Sequence, residues 1–562
     1  MTNEHFDAVI VGSGFGGSVM AYRLAEAGLS VCLLERGKAY PPGSFPRDPI
    51  GMKQNFWDPS EGLYGMLDIW SFRHIEALVS AGLGGGSLIY ANVLLRKDEK
   101  WFVQENRQQG GYEYWAVTRK DLDPHYDEAE RMLNAQKFPI TESPYDTCRK
   151  TLALRDAGKE LGLEWDLLNL AVTFHNPGEP PVPGEPIKER PNLHGRTRYT
   201  CRLCGECDVG CNYGSKNTLD YNYLTEAKRL GADLRTLCNV RSFIPIEGGG
   251  YLTEYSKYSL EPDAPPPQLA KVTSKLLIIA AGTLGSTFLM MKNRAAFPGL
   301  SKSLGTHFSG NGDLLGFAIN AKSQSNGKKQ PRRLDGSYGP VITSAIRVGD
   351  AADGPPNEGR GFYIEDAGYP ALLNWVMESL DFRMFAKRAV KIASKRIKTA
   401  IGINPDSNLS AELSDLIGPC SLSSCSVPLL GMGRDIPNGV LTLDEGMLQN
   451  EWRIDKSGAY FDRLRETMKN IAKTWDARFN DNPLWHLGKR VITVHPLGGC
   501  PIGRDDSEGV VDVWGEVFNH PGLFVADGSV MPGPTGANPS LTIAAMADRF
   551  AGRIVERHRA AS

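Results

Sequence analysis

The chain has 562 residues, with 63 Lys and Arg against 65 Asp and Glu, so its formal net charge is only −2. A near-neutral chain lacks the net basic surface that phosphate binding needs, which argues against nucleic acid as the main partner. At roughly 150 residues per domain, the length fits three to four domain-sized units or one large interleaved enzyme. Its 41% hydrophobic residues are typical of a globular protein with a sizeable core.

The composition also predicts a cellular location. Residues 8–11, the first apolar stretch, carry no basic leader, so we recognise no secretory signal. Residues 276–291, the longest apolar run, include glycine, threonine and serine and fall short of the roughly 20 apolar residues that span a bilayer. Four of the ten cysteines lie within residues 201–211, which indicates metal chemistry rather than a disulfide framework. We therefore expect a cytoplasmic protein.

The N-terminus has the pattern of a dinucleotide site. The β-branched run at 6–11 predicts a buried parallel strand, and residues 12–17 match G-x-G-x-x-G. Residues 18–27 then have helical spacing, and 29–34 predict a second strand that ends at Glu35. Because strand, glycines, helix, strand and acid follow in order, we predict a dinucleotide site rather than a glycine-rich loop. This order alone does not separate FAD from NAD.

Each glycine of this turn has a physical reason. Gly12 allows the tight turn, Gly14 lets the backbone approach a pyrophosphate, and Gly17 lets helix and strand pack closely. The diphosphate is then expected at the positive end of the helix. Glu35 follows Gly14 by 21 residues and is placed to accept hydrogen bonds from a ribose diol.

Two later segments extend the predicted site. Residues 82–87 form a second glycine-rich turn between apolar flanks, as expected where backbone lies against a flat or charged ligand. Residues 523–526 predict a buried strand that reaches Asp527 and Gly528, and an acid at that strand end can face the ligand crevice. One domain is therefore expected to combine distant parts of the chain.

Eight blocks of the chain share a pattern with one family of enzymes. They lie at 12–17 with Glu35, 82–87, 278–284, 304–305, 311–313, 495–500, 527–528 and 536–539. Together they resemble the glucose–methanol–choline (GMC) flavoprotein oxidoreductases, and within them the cholesterol-oxidase-like branch. The resemblance covers nearly the whole chain, and the blocks around His495 and Asn538 are its most specific parts. It implies bound FAD and hydride transfer from an alcohol to flavin N5.

The predicted fold class is α/β, or α+β overall, with a Rossmann-type FAD-binding domain interleaved with a substrate domain. The resemblance implies that the substrate domain is built on an antiparallel sheet with flanking helices. Residues 1–112, 200–312 and 490–562 are predicted to form the FAD-binding domain, and residues 113–199 and 313–489 the substrate domain.

The cofactor-binding residues are predicted from the glycine turns and from the resemblance together. They are Gly12, Gly14, Phe15, Gly16, Gly17, Glu35, Arg36, Gly82, Gly86, Ser87, Asn92, Val240, Ala281, Gly282, Asp527, Gly528, Asn538 and Pro539.

His495 and Asn538 are the predicted catalytic residues. A strand-like run delivers His495, and Pro496 biases its backbone toward an extended form. An alcohol oxidation needs a base for the hydroxyl proton, for which imidazole is suited, and an amide at Asn538 can orient the same hydroxyl. Taken singly, a core histidine and an Asn-Pro turn are the alternatives. The matching positions in the GMC family are the catalytic histidine and its asparagine partner.

Some cholesterol oxidases carry a glutamate that also isomerises the steroid double bond. Residues 362–370 resemble its neighbourhood, but that glutamate is not matched to a residue here. Glu365 has the chemistry of a base, and a surface or strand-pairing carboxylate is the alternative. Isomerase activity, and with it a sterol substrate, therefore stays open.

The cysteine cluster has the spacing C-x2-C-x2-C-x3-C, formed by Cys201, Cys204, Cys207 and Cys211. This is the bacterial ferredoxin spacing, with Asn212 where a proline is usual. Such thiols can hold an iron–sulfur cluster, hold zinc, or stay reduced as small buried hydrophobes. An iron–sulfur cluster would make the enzyme a dehydrogenase that passes electrons to a protein partner.

The stretch 372–401 combines an aromatic and leucine-rich loop with a basic amphipathic pattern. Between 376 and 400 it has seven basic and two acidic side chains. This pattern is typical of a membrane-surface contact, and a solvated face over the core is the alternative. Peripheral contact with the inner membrane face is a hypothesis for this segment.

The function predicted from these residues is oxidation of a hydrophobic, steroid- or terpenoid-like alcohol by an FAD enzyme, with dioxygen or another acceptor reoxidising the flavin. Two alternatives remain open: a non-oxidative GMC flavoprotein of the lyase or fatty-acid decarboxylase type, and an FAD/iron–sulfur dehydrogenase. The expected partners are a small hydrophobic alcohol and dioxygen or an electron-acceptor protein.

Overall fold

The computed structural model describes residues 4–106, 110–261, 266–370, 373–374, 421–486 and 488–561. The helices of this part are α1 Phe15–Glu26, α2 Pro49–Lys53, α3 Arg119–Met132, α4 Arg149–Leu161, α5 Tyr223–Arg229, α6 Gly282–Lys292, α7 Ser421–Ser424, α8 Gly458–Thr474, α9 Pro483–His486 and α10 Pro539–Ala561.

The strands follow the same chain order. They are β1 Glu4–Val11, β2 Val31–Leu34, β3 Trp57–Asp58, β4 Leu63–Tyr64, β5 Leu67–Ser71, β6 Ile75–Ser80, β7 Val103–Glu105, β8 Tyr112–Tyr114, β9 Gln136–Lys137, β10 Glu164–Leu167, β11 Asn169–Leu170, β12 Asp233–Arg235, β13 Cys238–Pro245, β14 Tyr251–Lys257, β15 Gln268–Ile279, β16 Leu314–Ile319, β17 Lys322–Ser325, β18 Lys328–Pro331, β19 Ser344–Val348, β20 Phe362–Glu365, β21 Val427–Gly433, β22 Leu441–Asp444, β23 Met447–Asn450, β24 Arg478–Asp481, β25 Val491–Thr493 and β26 Leu523–Val525.

A seven-stranded sheet contains the glycine-rich N-terminus. Its order is β12-β2-β1-β15-β14-β13, and β26 pairs with β15. The pairs among β12, β2, β1, β15 and β26 are parallel, whereas β14 pairs antiparallel with both neighbours. Val11 lies opposite Leu34 on one side and Ile279 on the other, so these strands end at one edge of the sheet. Residues 8–11 of β1 and all of β2 are covered on both faces, and these two stretches are continuous apolar runs.

A six-stranded antiparallel sheet forms the second layer, in the order β10-β19-β20-β21-β16-β24. On β16, buried Leu314 and Ala318 alternate with half-buried Leu315, Phe317 and Ile319. The buried set belongs to the core that α4 and α8 cover, and the half-buried set faces a cavity. This alternation is the period expected of a strand with two different faces.

The predicted fold class is confirmed, since a Rossmann-like sheet and a separate antiparallel sheet are both present. The first helix begins at Phe15 rather than at the predicted residue 18, because Gly14 already serves as its N-terminal cap. The division into an FAD-binding and a substrate domain remains a proposal. The seven-stranded sheet draws its strands from 4–34, 233–279 and 523–525.

In the part of the chain that the structure describes, no helix is long and apolar enough to cross a membrane. The segment 372–401, proposed to contact a membrane surface, lies outside the described residues except for Leu373 and Asn374.

Candidate active site

A cavity of about 1610 Å³ is lined by residues of both large sheets. From the parallel strands it receives the segments after β1, β2, β15 and β26, which is where open α/β sheets bind ligands. From the antiparallel sheet it receives apolar side chains of β16 and β21. The predicted site residues that line it are Gly12, Gly14, Phe15, Gly16, Glu35, Arg36, Gly86, Val240, Ala281, Gly282, His495, Asp527, Gly528, Asn538 and Pro539.

Four predicted cofactor residues lie behind the cavity wall instead. A Cβ on Gly17 would lie 2.0 Å from the Gly12 oxygen, so this glycine serves helix–strand packing. A Cβ on Gly82 would lie 2.6 Å from the Leu88 Cδ1, so this glycine is also needed for close packing. The Ser87 hydroxyl donates to the Gly84 oxygen at 2.7 Å, and Asn92 is fully buried.

Glu35 connects the second strand to the glycine-rich turn. Its carboxylate accepts hydrogen bonds from the Ser13 N–H at 3.0 Å, the Ser13 hydroxyl at 2.6 Å and the Gly37 N–H at 2.8 Å. The Ser13 hydroxyl also accepts from the Gly84 N–H at 3.0 Å. Oε2 already accepts two of these bonds and Oε1 only one, so Oε1 can accept a further donor, and the carboxylate can both hold the turn and receive a ribose hydroxyl.

The two glycine-rich turns meet at their backbones. A Cβ on Gly85 would lie 2.6 Å from the Gly14 Cα, whereas a Cβ on Gly14 would meet nothing within 4 Å. Gly14 therefore borders open cavity at the N-terminus of α1, where helix N–H groups favour phosphate. These residues fit the diphosphate and ribose of an FAD molecule, and the remaining cavity can hold its ring system and a substrate.

Asp527 connects the C-terminal strand to α6. Its carboxylate accepts from the Gly282 N–H at 2.9 Å and from the hydroxyls of Ser286 and Ser529 at 2.5 and 2.6 Å. Burial raises the pKa of this carboxyl, and the four donors around it oppose that rise. Asp527 thus fixes the start of α6 against the cavity.

His495 follows β25 and lines the cavity, with Asp313 behind it. The His495 Nδ1–H donates to Asp313 Oδ1 at 2.9 Å. Asp313 is almost fully buried, and its second oxygen accepts from the Thr493 hydroxyl and the Val494 N–H, both at 2.9 Å. Because a carboxylate only accepts, the neutral imidazole carries its proton on Nδ1 and keeps a lone pair on Nε2. Among the described residues, Nε2 has no hydrogen-bond partner.

Asn538 lines another part of this cavity, and Glu365 lies behind it, outside the lining. The Asn538 amide nitrogen lies 3.5 Å from Glu365 Oε2, and both residues are buried. Within the described chain, Asn538 Oδ1 and Glu365 Oε1 have no partner. Burial raises the pKa of the Glu365 carboxyl well above its usual range, and the neighbouring Asp366 adds to this. Glu365 is therefore not a surface carboxylate, although it pairs with Ala345 and Leu430 within the antiparallel sheet.

This arrangement places a proton acceptor, an amide and a glycine-lined nucleotide site in one cavity. Residues 438–547 match the family model of GMC oxidoreductases, and residues 10–41 match that of an NAD(P)-binding Rossmann-like domain. The cholesterol oxidase of Mycobacterium tuberculosis is 30% identical over 97% of this chain and 90% of that protein. The chain belongs to the GMC oxidoreductase family.

Other relatives agree with this family. A cholesterol oxidase of Acinetobacter baumannii is 27% identical over 99% of this GMC oxidoreductase, covering 96% of that protein. A long-chain-alcohol oxidase of Arabidopsis thaliana is 23% identical over 98% of the chain and 67% of that protein. A solved fungal aryl-alcohol oxidase shares the fold, with a TM-score of 0.55 and 16% identity over the full length of both chains. The predicted family, its cholesterol-oxidase-like branch and the class of FAD-dependent alcohol oxidoreductase are thereby confirmed.

The cysteine loop of this GMC oxidoreductase differs from the prediction of a metal site. Across the described ranges, which include all four cysteines, no three His, Cys, Asp or Glu side chains are placed to hold a metal ion. Burial raises the pKa of Cys201 and Cys207, and that of Cys204 to about 12, which favours the thiol over the thiolate that binds metals. The iron–sulfur prediction is therefore not supported.

The loop instead forms part of the cavity wall. The buried ammonium of Lys216 donates to the backbone oxygens of Leu88, Tyr90 and Cys207, which connects the second glycine turn to the cysteine loop. Next to Cys207, the side chain of Asp208 lines the cavity. The small thiols fill space around this connection.

Sequence reasoning assigned no role to Ser13, Asp313 or Asp208. Asp313 lies in one of the blocks that carry the family resemblance. The pattern does not indicate its partner His495, which is 182 residues away. Ser13 occupies a variable position of the glycine motif. Asp208 lies within the cysteine cluster, and the sequence interpretation of that segment considered only its thiols.

Proposed function

We propose that this GMC oxidoreductase oxidises the CH–OH group of a hydrophobic, steroid- or terpenoid-like alcohol to a carbonyl. When bound, FAD supplies the acceptor of the hydride, and dioxygen or another acceptor then reoxidises it. One observation carries the proposal: His495, oriented by Asp313, and Asn538 line the same cavity as the glycine-rich nucleotide site.

The chain's own residues would control the proton and the position of the alcohol. His495 Nε2 accepts the hydroxyl proton, and the resulting imidazolium is stabilised by the buried carboxylate of Asp313. The Asn538 amide nitrogen has a second N–H besides the one that faces Glu365, and this N–H can donate to the oxygen of the same hydroxyl. The largely apolar walls disfavour water around these groups.

The walls also indicate the kind of substrate. Leu315, Phe317 and Leu430 of the antiparallel sheet, together with Ile342 and Pro428, present apolar surface to the cavity. Apolar surface stabilises a bound hydrocarbon by roughly 25 cal/mol per Å² removed from water. The relatives named cholesterol oxidase and long-chain-alcohol oxidase act, by their names, on alcohols of this hydrophobic class.

The test is flavin reduction by substrate in a His495→Gln variant, followed without oxygen by the loss of flavin absorbance. Removing the general base is expected to slow this reduction by about 10²- to 10⁴-fold while FAD stays bound. His486→Gln, an exposed histidine of α9, is the matched control and should reduce normally. Unchanged reduction in His495→Gln contradicts the proposal.

Bleaching in the native protein also separates the alternatives. A lyase or decarboxylase of the GMC family is expected to leave the flavin oxidised with every alcohol tested. Peroxide formation that matches oxygen consumption would support dioxygen as the acceptor. Turnover only with an added dye would support a different acceptor.

A second candidate activity, isomerisation of a steroid double bond, is favoured by Glu365. Its buried carboxyl lies beside Asn538 and has a raised pKa, as expected of a group that carries a proton between two carbon atoms. With a β,γ-unsaturated steroid alcohol, Glu365→Gln should still reduce the flavin but release the unshifted ketone. If the wild type also releases only the unshifted ketone, this second activity is absent.

A further inference from the structure

One buried turn, residues 309–313, contacts the segments that carry both proposed catalytic residues. Its side chains Ser309, Asn311 and Asp313 are at most 2% exposed. We propose that this connecting turn is the positioning device that sets His495 and Asn538 against each other. This inference rests on the proposed function of these two residues.

The first arm of the connecting turn holds the histidine segment. Asp313 binds the His495 ring at 2.9 Å, and it also accepts from the Thr493 hydroxyl and the Val494 N–H. The backbone of Ser309 pairs with that of Leu497 through two hydrogen bonds of 2.9 and 3.0 Å. The strand end is therefore held on both sides of His495.

The second arm holds the asparagine segment. Asn311 Oδ1 accepts from the Gly536 N–H at 2.9 Å and from the Thr535 hydroxyl at 3.1 Å, and its Nδ2 donates to the Ala537 oxygen at 2.9 Å. Ala537 immediately precedes Asn538. The Asn311 side chain thus forms hydrogen bonds with three groups of the loop that ends at Asn538: two backbone groups and one hydroxyl.

The connecting turn is itself tightly held. Asn311 and Gly312 have left-handed backbone angles, with φ of 54° and 66°. The Asn311 N–H donates to the Ser309 hydroxyl, which donates to the buried carboxyl of Asp435 at 2.5 Å. The Tyr460 hydroxyl donates to the Gly312 oxygen at 2.9 Å. Because these bonds hold the turn in place, each arm has a fixed anchor from which it positions its own catalytic segment.

The histidine and asparagine segments, more than forty residues apart in sequence, are thereby both bound by side chains of this one turn. Asn311 reaches the asparagine loop across 226 residues of chain, and Asp313 reaches the histidine across 182. Catalytic groups lose rate steeply when misplaced, since about 1 Å of error can cost 10²-fold. Asn311 and Asp313 are therefore positioning residues, and they act through different partners.

Double-variant cycles test this assignment. Asp313→Asn keeps the shape but offers a less basic acceptor to the ring, and it should lower the limiting rate of anaerobic flavin reduction about 10²-fold or more. In a His495→Gln background the same change should lower that rate by less than about twofold, because the imidazole that Asp313 binds is already absent. Asn311→Gly, which suits the left-handed backbone, should cost about tenfold alone and less than about twofold in an Asn538→Ala background.

The crossed pairs provide the discriminating readout. Asp313→Asn in an Asn538→Ala background, and Asn311→Gly in a His495→Gln background, should keep their full single-variant effects. Asp313→Asn should also increase the solvent isotope effect on flavin reduction, and Asn311→Gly should not. If these residues had only a structural role, each change would lower the rate of flavin reduction by the same factor in every background.

Tyr460→Phe is the matched control, since it removes a bond of the same turn that touches neither arm. It should lower the melting temperature and leave flavin reduction within about threefold of the wild type. Bound FAD per protein and melting temperature show whether each variant is folded. Should Asn311→Gly lose its fold, Asn311→Asp keeps the size of the side chain, removes the donor to Ala537 and places an acidic oxygen opposite the Ala537 oxygen, so it should also slow flavin reduction.

The inference is overturned if Asp313→Asn lowers the rate of flavin reduction by the same factor in the His495→Gln background as in the wild type. It is also overturned if Asn311→Gly leaves that rate unchanged. Failure of the proposed function has a different signature: His495→Gln and Asn538→Ala would then reduce the flavin normally as single variants.

Discussion

Asp208 carries a carboxyl into the cavity from the cysteine loop. In the described part of the chain its side chain has no hydrogen-bond partner, and the nearest opposing charges are the buried ammonium groups of Lys216 and Lys150. Burial outweighs these charges and raises the pKa of Asp208 to about 6. The group therefore changes charge within the range in which enzymes are usually assayed.

Substrate affinity is expected to depend on this carboxyl. An apolar alcohol that covers Asp208 removes water from the charged form and raises its pKa further, so the complex takes up a proton. Affinity should then increase as the pH falls from 7.5 to 5.5, with Kd about three- to tenfold lower at the acid end. Asp208→Asn should bind with little dependence on pH.

The measurement is Kd for a non-reacting apolar ketone, titrated against the flavin spectrum at several pH values. Glu206→Gln is the control, because Glu206 lies on the same loop but pairs with Arg47 and does not line the cavity. A pH dependence that persists in Asp208→Asn assigns it to another group and contradicts this prediction.

At the scale of elements, the turn between β1 and α1 separates glycines with different tasks. A Cβ on Gly16 would lie 1.4 Å from the Ala526 oxygen, so Gly16 is needed to pack α1 against the C-terminal strand. Gly14 has an ordinary negative φ of −69° and borders the cavity, so an alanine there meets no protein atom. The same motif thus contains glycines needed for packing, Gly16 and Gly17, and one that borders the ligand site, Gly14.

Gly14→Ala is expected to leave the fold intact and to weaken FAD binding, because its methyl group occupies space needed by the diphosphate. We expect a loss of roughly tenfold in affinity, equivalent to about 1.4 kcal/mol. Reconstitution of the apoprotein with FAD, followed by flavin fluorescence, measures this loss.

Two further variants control this comparison. Gly16→Ala should prevent accumulation of folded protein, whereas Gly552→Ala in α10, where a Cβ meets nothing, should bind FAD like the wild type. Equal FAD affinity in Gly14→Ala and the wild type would be inconsistent with a cradle at Gly14.

For the whole molecule, the sequence predicted what depends on local pattern. The strand–turn–helix–strand unit at 4–34 is readable because its apolar runs and glycines are consecutive. The burial of Glu365 is not readable, since it depends on how β20 packs between β19 and β21 and on Asn538, 173 residues away. For the cysteines, spacing alone does not show how the four thiols are arranged, so the sequence could not decide between a metal site and reduced thiols.

FAD is expected to be part of the core of this enzyme, because the cavity that fits it is lined from both large sheets. A ligand that binds only the folded state stabilises it by RT ln(1 + [L]/Kd), which is about 2.7 kcal/mol at a hundredfold excess over Kd. Removing FAD should therefore lower the melting temperature, and each tenfold increase in free FAD should restore about 1.4 kcal/mol.

Calorimetry of the apoprotein over a series of FAD concentrations tests this expectation. Gly14→Ala supplies an internal control, since its stability curve should run parallel to that of the wild type but be displaced toward higher FAD concentrations. The two large sheets should also melt together in the presence of FAD, because the ligand contacts the segments of both that line the cavity. A melting temperature independent of FAD in both proteins would mean that the cavity is not a cofactor site.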